Sequence, residues 1–567
     1  MKQVEFMRVL CLLIFIAFSC SSPLEKKKAF GGKLYGGEFT YYSQERTNLF
    51  FPFYATSGYD QRILSQIFEP LFKTNEQGLL LNHLAKDYDE IADGKKIRIT
   101  LRNGVYFQQD VCFDGVDNKL TAEDVKFSLD FACSGNKRNS LSKIFKNKIV
   151  GAEEFNEKTK NKFDPTGVSG IRVINDSVVE VLLKMKYSNF QMLLAHPSLT
   201  ILSKKAYDFY GPAIVNHPIG TGAFQLKSST KLRTQLSRNP NYWQKDEFGN
   251  QLPFLEKINI VYTNSIKEEY HSFSKGKADI IFELPVEELA TAFGTLTDAQ
   301  NGKNLLHRFV LRKGVKINYI SFDCSSYPFN NSTVRKAICL AIDRRKICLE
   351  DLNGEGNYNL HGFVPESNYY KPASDNLVPF DPIQAKELLK KAGFHQKNKF
   401  PKMRFYLNAR KGSIDDKWAK AVAKQLKENL AIELDLVYCS LNKKHQAIAS
   451  KEAKIWKSTW MPDYPDADSY LSIFYGNKTN RANEGSNFNN FNSALFDNLY
   501  KKSEQATTCQ ERKKIQHQLD KILIDEAAVV PVFSDDLYVI VNLRVRNFNI
   551  NNTGIIDFSR IYIKEVF

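Results

Sequence analysis

The chain has 567 residues, 43% of them hydrophobic and 25% charged, with a formal net charge of +16. That length is too great for one core and divides into two or three domains of roughly 100 to 200 residues, while the apolar content excludes a disordered chain. The charge could mark a nucleic-acid binder, but lysines are spread along the whole chain with no run denser than Lys26 to Lys28, so it reads as solvated surface and no nucleic acid is expected.

Residues 1–19 read as a signal peptide. Lys2 and Arg8 supply a positive start and Val9 to Phe18 an apolar run, shorter than the roughly 20 residues a membrane-spanning helix needs. Ala17-Phe18-Ser19 before Cys20 resembles the bacterial lipoprotein processing site, with Phe18 an unusual occupant. The resemblance implies lipidation at Cys20, a polar tether over 20–30, and an exported body anchored by lipid to the cell membrane. No later stretch reads as a membrane helix. With Cys11 removed and Cys20 modified, an odd number of the nine cysteines remains. Cys112 and Cys133, flanking one helix, are the candidate disulfide in a compartment that permits one, while Cys339 reads as a small core hydrophobe.

Tyr35 to Tyr42 reads as an opening strand. Ile63, Leu64, Ile67, Phe68 and Leu71, spaced three and four apart, predict a helix over 60–72. Lys95 to Leu101 alternates as a strand, and Thr121 with Asp124 stands in capping-box relation at the start of a helix. Strands follow at 178–183 and 254–263, with a short one over 278–282. The Gly220 and Gly222 turn lacks the Lys-Ser/Thr ending of a phosphate loop, and no helix follows, so that reading is rejected. Beyond Pro285 the clear elements are a stripe from Val334 to Ile342, a helix opened by Asp381-Pro382 and closed by Gly393, a helix over 415–429, and a strand over 432–438. Helices fill 494–504 and 510–525, and two strands close the chain at 527–533 and 537–542.

Between them, Trp456 to Tyr475 crowds together Trp456, Trp460, Tyr464, Tyr470, Phe474 and Tyr475 with Asp463, Asp466 and Asp468. Pro462 and Pro465 forbid regular helix around Asp463, so its carboxylate is expected on an irregular turn among aromatic faces, which suits capture of an ammonium group. Asp468 is expected only to cap the helix that follows.

Together, Ile67-Phe-Glu-Pro-Leu71, Leu101-Arg-Asn-Gly-Val105, Leu120 to Ser128, Pro218 to Phe224, Asn241-Tyr-Trp243, Val334 to Arg344, Asp381 to Gly393 and Trp460 to Tyr464 resemble, in order, the extracytoplasmic solute-binding proteins of peptide and nickel ABC importers. The resemblance covers nearly the whole mature chain. It implies an α/β, two-lobed periplasmic-binding-protein-like fold joined by a hinge, with lobe 1 at 31–283 plus 530–567, lobe 2 at 284–529, an inserted subdomain over about 58–214, and crossings near Phe282 and Pro531. It also implies a monomer that delivers peptides to an ABC permease. In peptide-binding members a W-x-x-D carboxylate holds the free ammonium, and Trp460-Met-Pro-Asp463-Tyr464 matches it. An arginine before the helix at 415–429 clamps the terminal carboxylate, which points to Arg410 ahead of Arg404. The loop between Val105 and Leu120 carries an insertion relative to many relatives.

Three other functions share parts of this sequence. A serine acyl-transfer enzyme finds Ser-x-x-Lys at Ser140, Ser228 and Ser272 and Ser-Asp-Asn at Ser374, but no Lys-Thr-Gly. Nickel delivery by a histidine cluster finds only nine scattered histidines, so neither metal nor cofactor is expected. A receptor for a non-peptide solute, a chelated metal or a saccharide, or a signalling receptor without a permease, would carry the same residues.

Overall fold

The computed structural model describes residues 27–55, 57–139, 141–282, 307–367, 369–373, 379–476 and 487–564. The signal segment, Cys20 and most of the tether lie outside them, as do Ser140 and the Ser374-Asp375-Asn376 motif. Among the described residues no helix is long and apolar enough to cross a membrane.

Helix starts follow local chemistry. Thr121 and Asp124 form the expected reciprocal capping box on Ala122–Cys133. Ser57 caps Gly58–Ile67, Asp381 caps Pro382–Lys391 with its proline in the first turn, and Ser413 caps Ile414–Leu430.

Two four-stranded sheets build the first half. In one, Glu38–Ser43 runs parallel to Lys257–Tyr262, followed by Arg233–Arg238 and Phe224–Ser229. The other orders Ala85–Ile91, Lys96–Leu101, Val178–Leu182 and Ile171–Asn175, all antiparallel. One apolar core spans both, drawing side chains from Phe39 to Ile280 and again from Val539 to Ile563. The second half is a six-stranded mixed sheet. One core packs Ile320, Phe322 and Phe405 against helices carrying Val334, Leu389 and Trp418. Another, containing Ile317 and Tyr319, is built with Tyr470, Phe474 and Phe496.

The two halves share strands. His307–Phe322 and Val529–Asn542 pair antiparallel from His307 opposite Asn542 to Ser321 opposite Val529, with register shifts between Arg312 and Lys316 and between Asn318 and Tyr319. The two short strands expected at 527–533 and 537–542 are thus one. The polar break at Ser534 and Asp535 suggested a turn, but Ser534 makes two backbone hydrogen bonds with Asn357, and Asp535 pairs with Lys316 at 2.6 Å. Pro531, which has no N–H to give the ladder, falls at the register shift opposite Tyr319, and its carbonyl accepts from Arg344 Nε.

Three of the resembling stretches meet at one buried carboxylate. Glu69 accepts from His83 Nε2 at 2.8 Å, Tyr242 Oη at 2.7 Å, Trp243 Nε1 at 2.9 Å and Thr221 Oγ1 at 2.8 Å. Burial works to raise its pKa, but His83 and the other donors prevail and hold it below the ordinary carboxylate value. The glycine pair is explained here too: a Cβ on Gly220 would lie 2.0 Å from the Ile67 carbonyl oxygen, and one on Gly222 2.4 Å from that of Gln66. The loop therefore lies flush on the backbone entering Glu69.

The candidate disulfide is corrected: Cys112 and Cys133 are both free and buried. Cys133 ends its helix inside the first core, where its carbonyl accepts from Asn156. Cys112 sits in a turn capped by Asp110 that packs on the helix Lys204–Tyr210, with Tyr210 Oη donating to Asp110 at 2.7 Å. The inserted loop is thus held by this polar bond. Burial and Asp110 push the Cys112 thiol up to about 12.

Candidate functional site: a carboxylate between the two halves

The strand Ile455–Trp460 ends at an irregular turn containing both prolines, and a short helix, Asp468–Leu471, follows. Trp460 is fixed by its Nε1 donating to the Ser469 carbonyl at 2.8 Å, and Ser469 Oγ accepts from the Asp463 amide at 2.8 Å. Asp468 is not the helix cap that the sequence suggested, since the helix includes it and Ala467 precedes it. Its carboxylate instead accepts from Tyr464 Oη at 2.6 Å and Tyr500 Oη at 2.8 Å. Asp466 takes the capping role, accepting from the Asp468 amide while gripped by Arg512 and Gln516. The turn presenting Asp463 is therefore rigid on its buried side.

Asp463 points across to the other half. Gln61 Nε2 donates to its Oδ1 at 3.2 Å, and His196 Nε2 stands 3.5 Å from its Oδ2. The Ser198 amide donates to His196 Nδ1 at 3.1 Å, which leaves the imidazole hydrogen on Nε2, facing Asp463. Both partners then donate to the carboxylate. Burial acts to raise its pKa, but the adjoining His196 ring and the hydrogen bonds from His196 and Gln61 outweigh it and hold it below the ordinary value. At neutral pH it is an anion. Its side chain keeps 26% exposure, and a carboxylate has capacity for more than the two contacts it makes here.

Of the candidate residues, the structure brings Asp463, Trp460 and Tyr464 together. Tyr464 is 4% exposed and packs in the core of the first half, so it serves as a peg between the halves. Arg410 lies elsewhere, paired through Nη1 with Glu269 of the helix Ile266–Ser274, with side-chain exposures of 4% and 2%. Arg404 is on the surface with Glu452. Lys148 with Glu504, and Glu45 accepting the Leu441 amide at 2.8 Å, add two further links between the halves. Gln61, His196 and Glu269 were not legible beforehand, because nothing local in the sequence marks a lone Gln, a His-Pro or a helical Glu as facing a residue over 140 positions away. Among the described residues no group of three metal-ligating side chains occurs.

The family model for bacterial extracellular solute-binding proteins, family 5, matches residues 80–482. The glutathione-binding protein GsiB of Salmonella typhimurium is 29% identical over 344 residues, 60% of this chain and 59% of that protein. The matched stretch thus spans less than two thirds of that relative's length. Among solved structures, the murein tripeptide binding protein MppA of Escherichia coli superposes with a TM-score of 0.80 at 18% identity, covering 93% of this chain and 98% of that one. The periplasmic oligopeptide-binding protein of Borrelia burgdorferi gives 0.79 at 21% identity, covering 93% and 100%. DppA of Helicobacter pylori, in complex with the peptide STSA, gives 0.79 at 19% identity, covering 94% and 99%. These likenesses show the two-lobed α/β fold.

Proposed function

This chain belongs to family 5 of the bacterial extracellular solute-binding proteins, and from that membership we propose that it is the lipid-anchored receptor of an ABC importer, capturing peptides between its lobes and handing them to the permease. The observation that carries the peptide reading is Asp463: an ionised carboxylate between the halves, beside Trp460, which among the described residues is met across the gap by Gln61 and His196. Such a charge is best completed by a cation arriving with the ligand, and a peptide's α-ammonium supplies one with three donors. The murein tripeptide binding protein MppA and the complex of DppA with the peptide STSA agree with this reading. Lobe 1 over 31–283 and 530–567 and lobe 2 over 284–529 act as the closing jaws of a monomer. The direct test is mass spectrometry of ligand retained through native purification, and recovery of a saccharide or a chelated metal in place of peptide would overturn the peptide reading.

Arg410, paired here with Glu269, is retained as the candidate carboxylate clamp. Glu269→Gln keeps the shape but removes one counter-charge from the guanidinium. The expected result is a rise of about tenfold, near 1.4 kcal/mol, in the preference for free-acid over C-amidated dipeptides. An unchanged preference by calorimetry would make Arg410 a purely structural link.

Anchoring rests on Ala17-Phe18-Ser19-Cys20. One acyl chain gives only marginal membrane binding, so stable attachment needs a multiply acylated cysteine. Cys20→Ser should move the protein from the detergent phase to the aqueous phase in partition assays; a variant still carrying lipid would refute the site.

A further inference from the structure

Next to Asp463, within the second half, a cavity of about 50 Å³ opens between the strand Ile455–Trp460 and the helix Leu441–Ala449. Trp456, Ser458 and Trp460 alternate along the strand and line it with Tyr319, Lys444 and His445. Trp460 is the same indole that stands three residues before Asp463, so the cavity and the proposed ammonium site are neighbours. Its volume holds a few water-sized groups, enough for a carboxylate.

The chemistry of its lining is unbalanced. Lys444 is 5% exposed, and its ammonium donates to Asn408 Oδ1 at 2.5 Å and the Lys457 carbonyl at 3.1 Å. These are neutral acceptors for two of three donors, and among the described residues no carboxylate reaches Nζ as an ion pair. Lys457, equally buried, has Asp415 as its counter-ion. Burial, then the Lys457 charge, drive the Lys444 ammonium down to about 7 against the weaker pull of Asp415, Cys439 and Glu45. His445, stacked on Phe488 at 5.3 Å, is pushed down to about 4 by burial and by Lys444, so it adds no positive charge at neutral pH. A buried cation bonded only to neutral groups is costly unless an anion arrives to pair with it.

We propose that this cavity is a side-chain pocket selecting an acidic residue near the amino end of the bound peptide, its carboxylate meeting Lys444 Nζ between the indoles of Trp456 and Trp460. The inference rests on the peptide reading above and sharpens it: the preferred ligand is anionic in one early side chain while its ammonium sits on Asp463. Forming the pair restores the ammonium's affinity for its proton. Binding of the acidic peptide near pH 7.5 is therefore coupled to proton uptake.

Tripeptides carrying Glu, Gln or Lys in turn at positions one, two and three, titrated by calorimetry in buffers of different ionisation enthalpy, test it. In the wild-type protein one position should favour Glu over Gln by about tenfold and disfavour Lys, with proton uptake for the Glu peptide alone. Lys444→Met should erase that preference and the uptake while binding Gln peptides within about threefold of wild type. If this variant fails to fold, the wild-type ratios decide alone. Equal Glu and Gln affinities at every position, or a preference that survives in Lys444→Met, would overturn the pocket and leave the peptide reading standing. Failure of all tripeptides to bind would overturn both.

Discussion

Asp463→Ala is expected to lower the affinity for peptides with a free amino end by about 2 to 5 kcal/mol, the cost of leaving one member of a desolvated charge pair without its partner. That is roughly 30-fold to several thousand-fold. The same variant should bind N-acetylated peptides as weakly as the wild-type protein does, because acetylation removes the cation from the other side. Stability should change little: the side chain is a quarter exposed, and its turn is held instead by Ser469, Asp466 and Arg512. The pH dependence follows from the sign of the shift. The folded pKa of Asp463 lies below its ordinary value, so the anion and the stabilisation from its Gln61 and His196 bonds are present at neutral pH and are lost only as pH falls through that depressed value. Calorimetric titration of both proteins with free and acetylated peptides is decisive, and equal affinities in all four combinations would remove Asp463 from the site and point to a non-peptide ligand.

The largest effect on folding is expected at Glu69. Glu69→Ala strands the donors of His83, Thr221, Tyr242 and Trp243 inside the first core. Buried groups left without partners cost about 1 to 3 kcal/mol each before relaxation. Allowing for repacking and water entry, a loss of about 3 to 5 kcal/mol is expected, lowering the transition of this half by roughly 10 °C. Glu69→Gln should recover only part, since its amide nitrogen turns donors toward donors. Thermal denaturation checks this, and a loss under about 1 kcal/mol for Glu69→Ala would show that the four donors find other acceptors.

Much of this was legible because it is local. The capping box at Thr121 and Asp124, the Asp381-Pro382 start and the apolar stripe from Val334 each declare themselves within a few residues. The order of the resembling stretches was also visible, though not why three of them travel together; the reason is Glu69, whose donors come from as far as 174 positions away. The site was half legible. Two prolines and an aromatic cluster placed Asp463 on an irregular turn, but its partner Gln61 lies 402 positions off. Arg410 was read as a free fork because nothing adjacent hints at Glu269. The Cys112 and Cys133 pairing failed for a related reason: spacing along the chain does not say which way a helix turns its last residue.

The long strand pair that passes from one half to the other has a mechanical consequence. Two hydrogen-bonded strands form a ribbon that is stiff within its plane and pliant perpendicular to it, and the ladder lacks continuity between Arg312 and Lys316 and again between Asn318 and Tyr319. If bending concentrates at such breaks, the two halves would swing along an arc set by this ribbon, and the gap between Asp463 and the facing Gln61 and His196 would follow that angle. Under the peptide reading, a partner resting on both halves would then sense the occupant of the gap as a change in that angle, whatever the occupant's sequence.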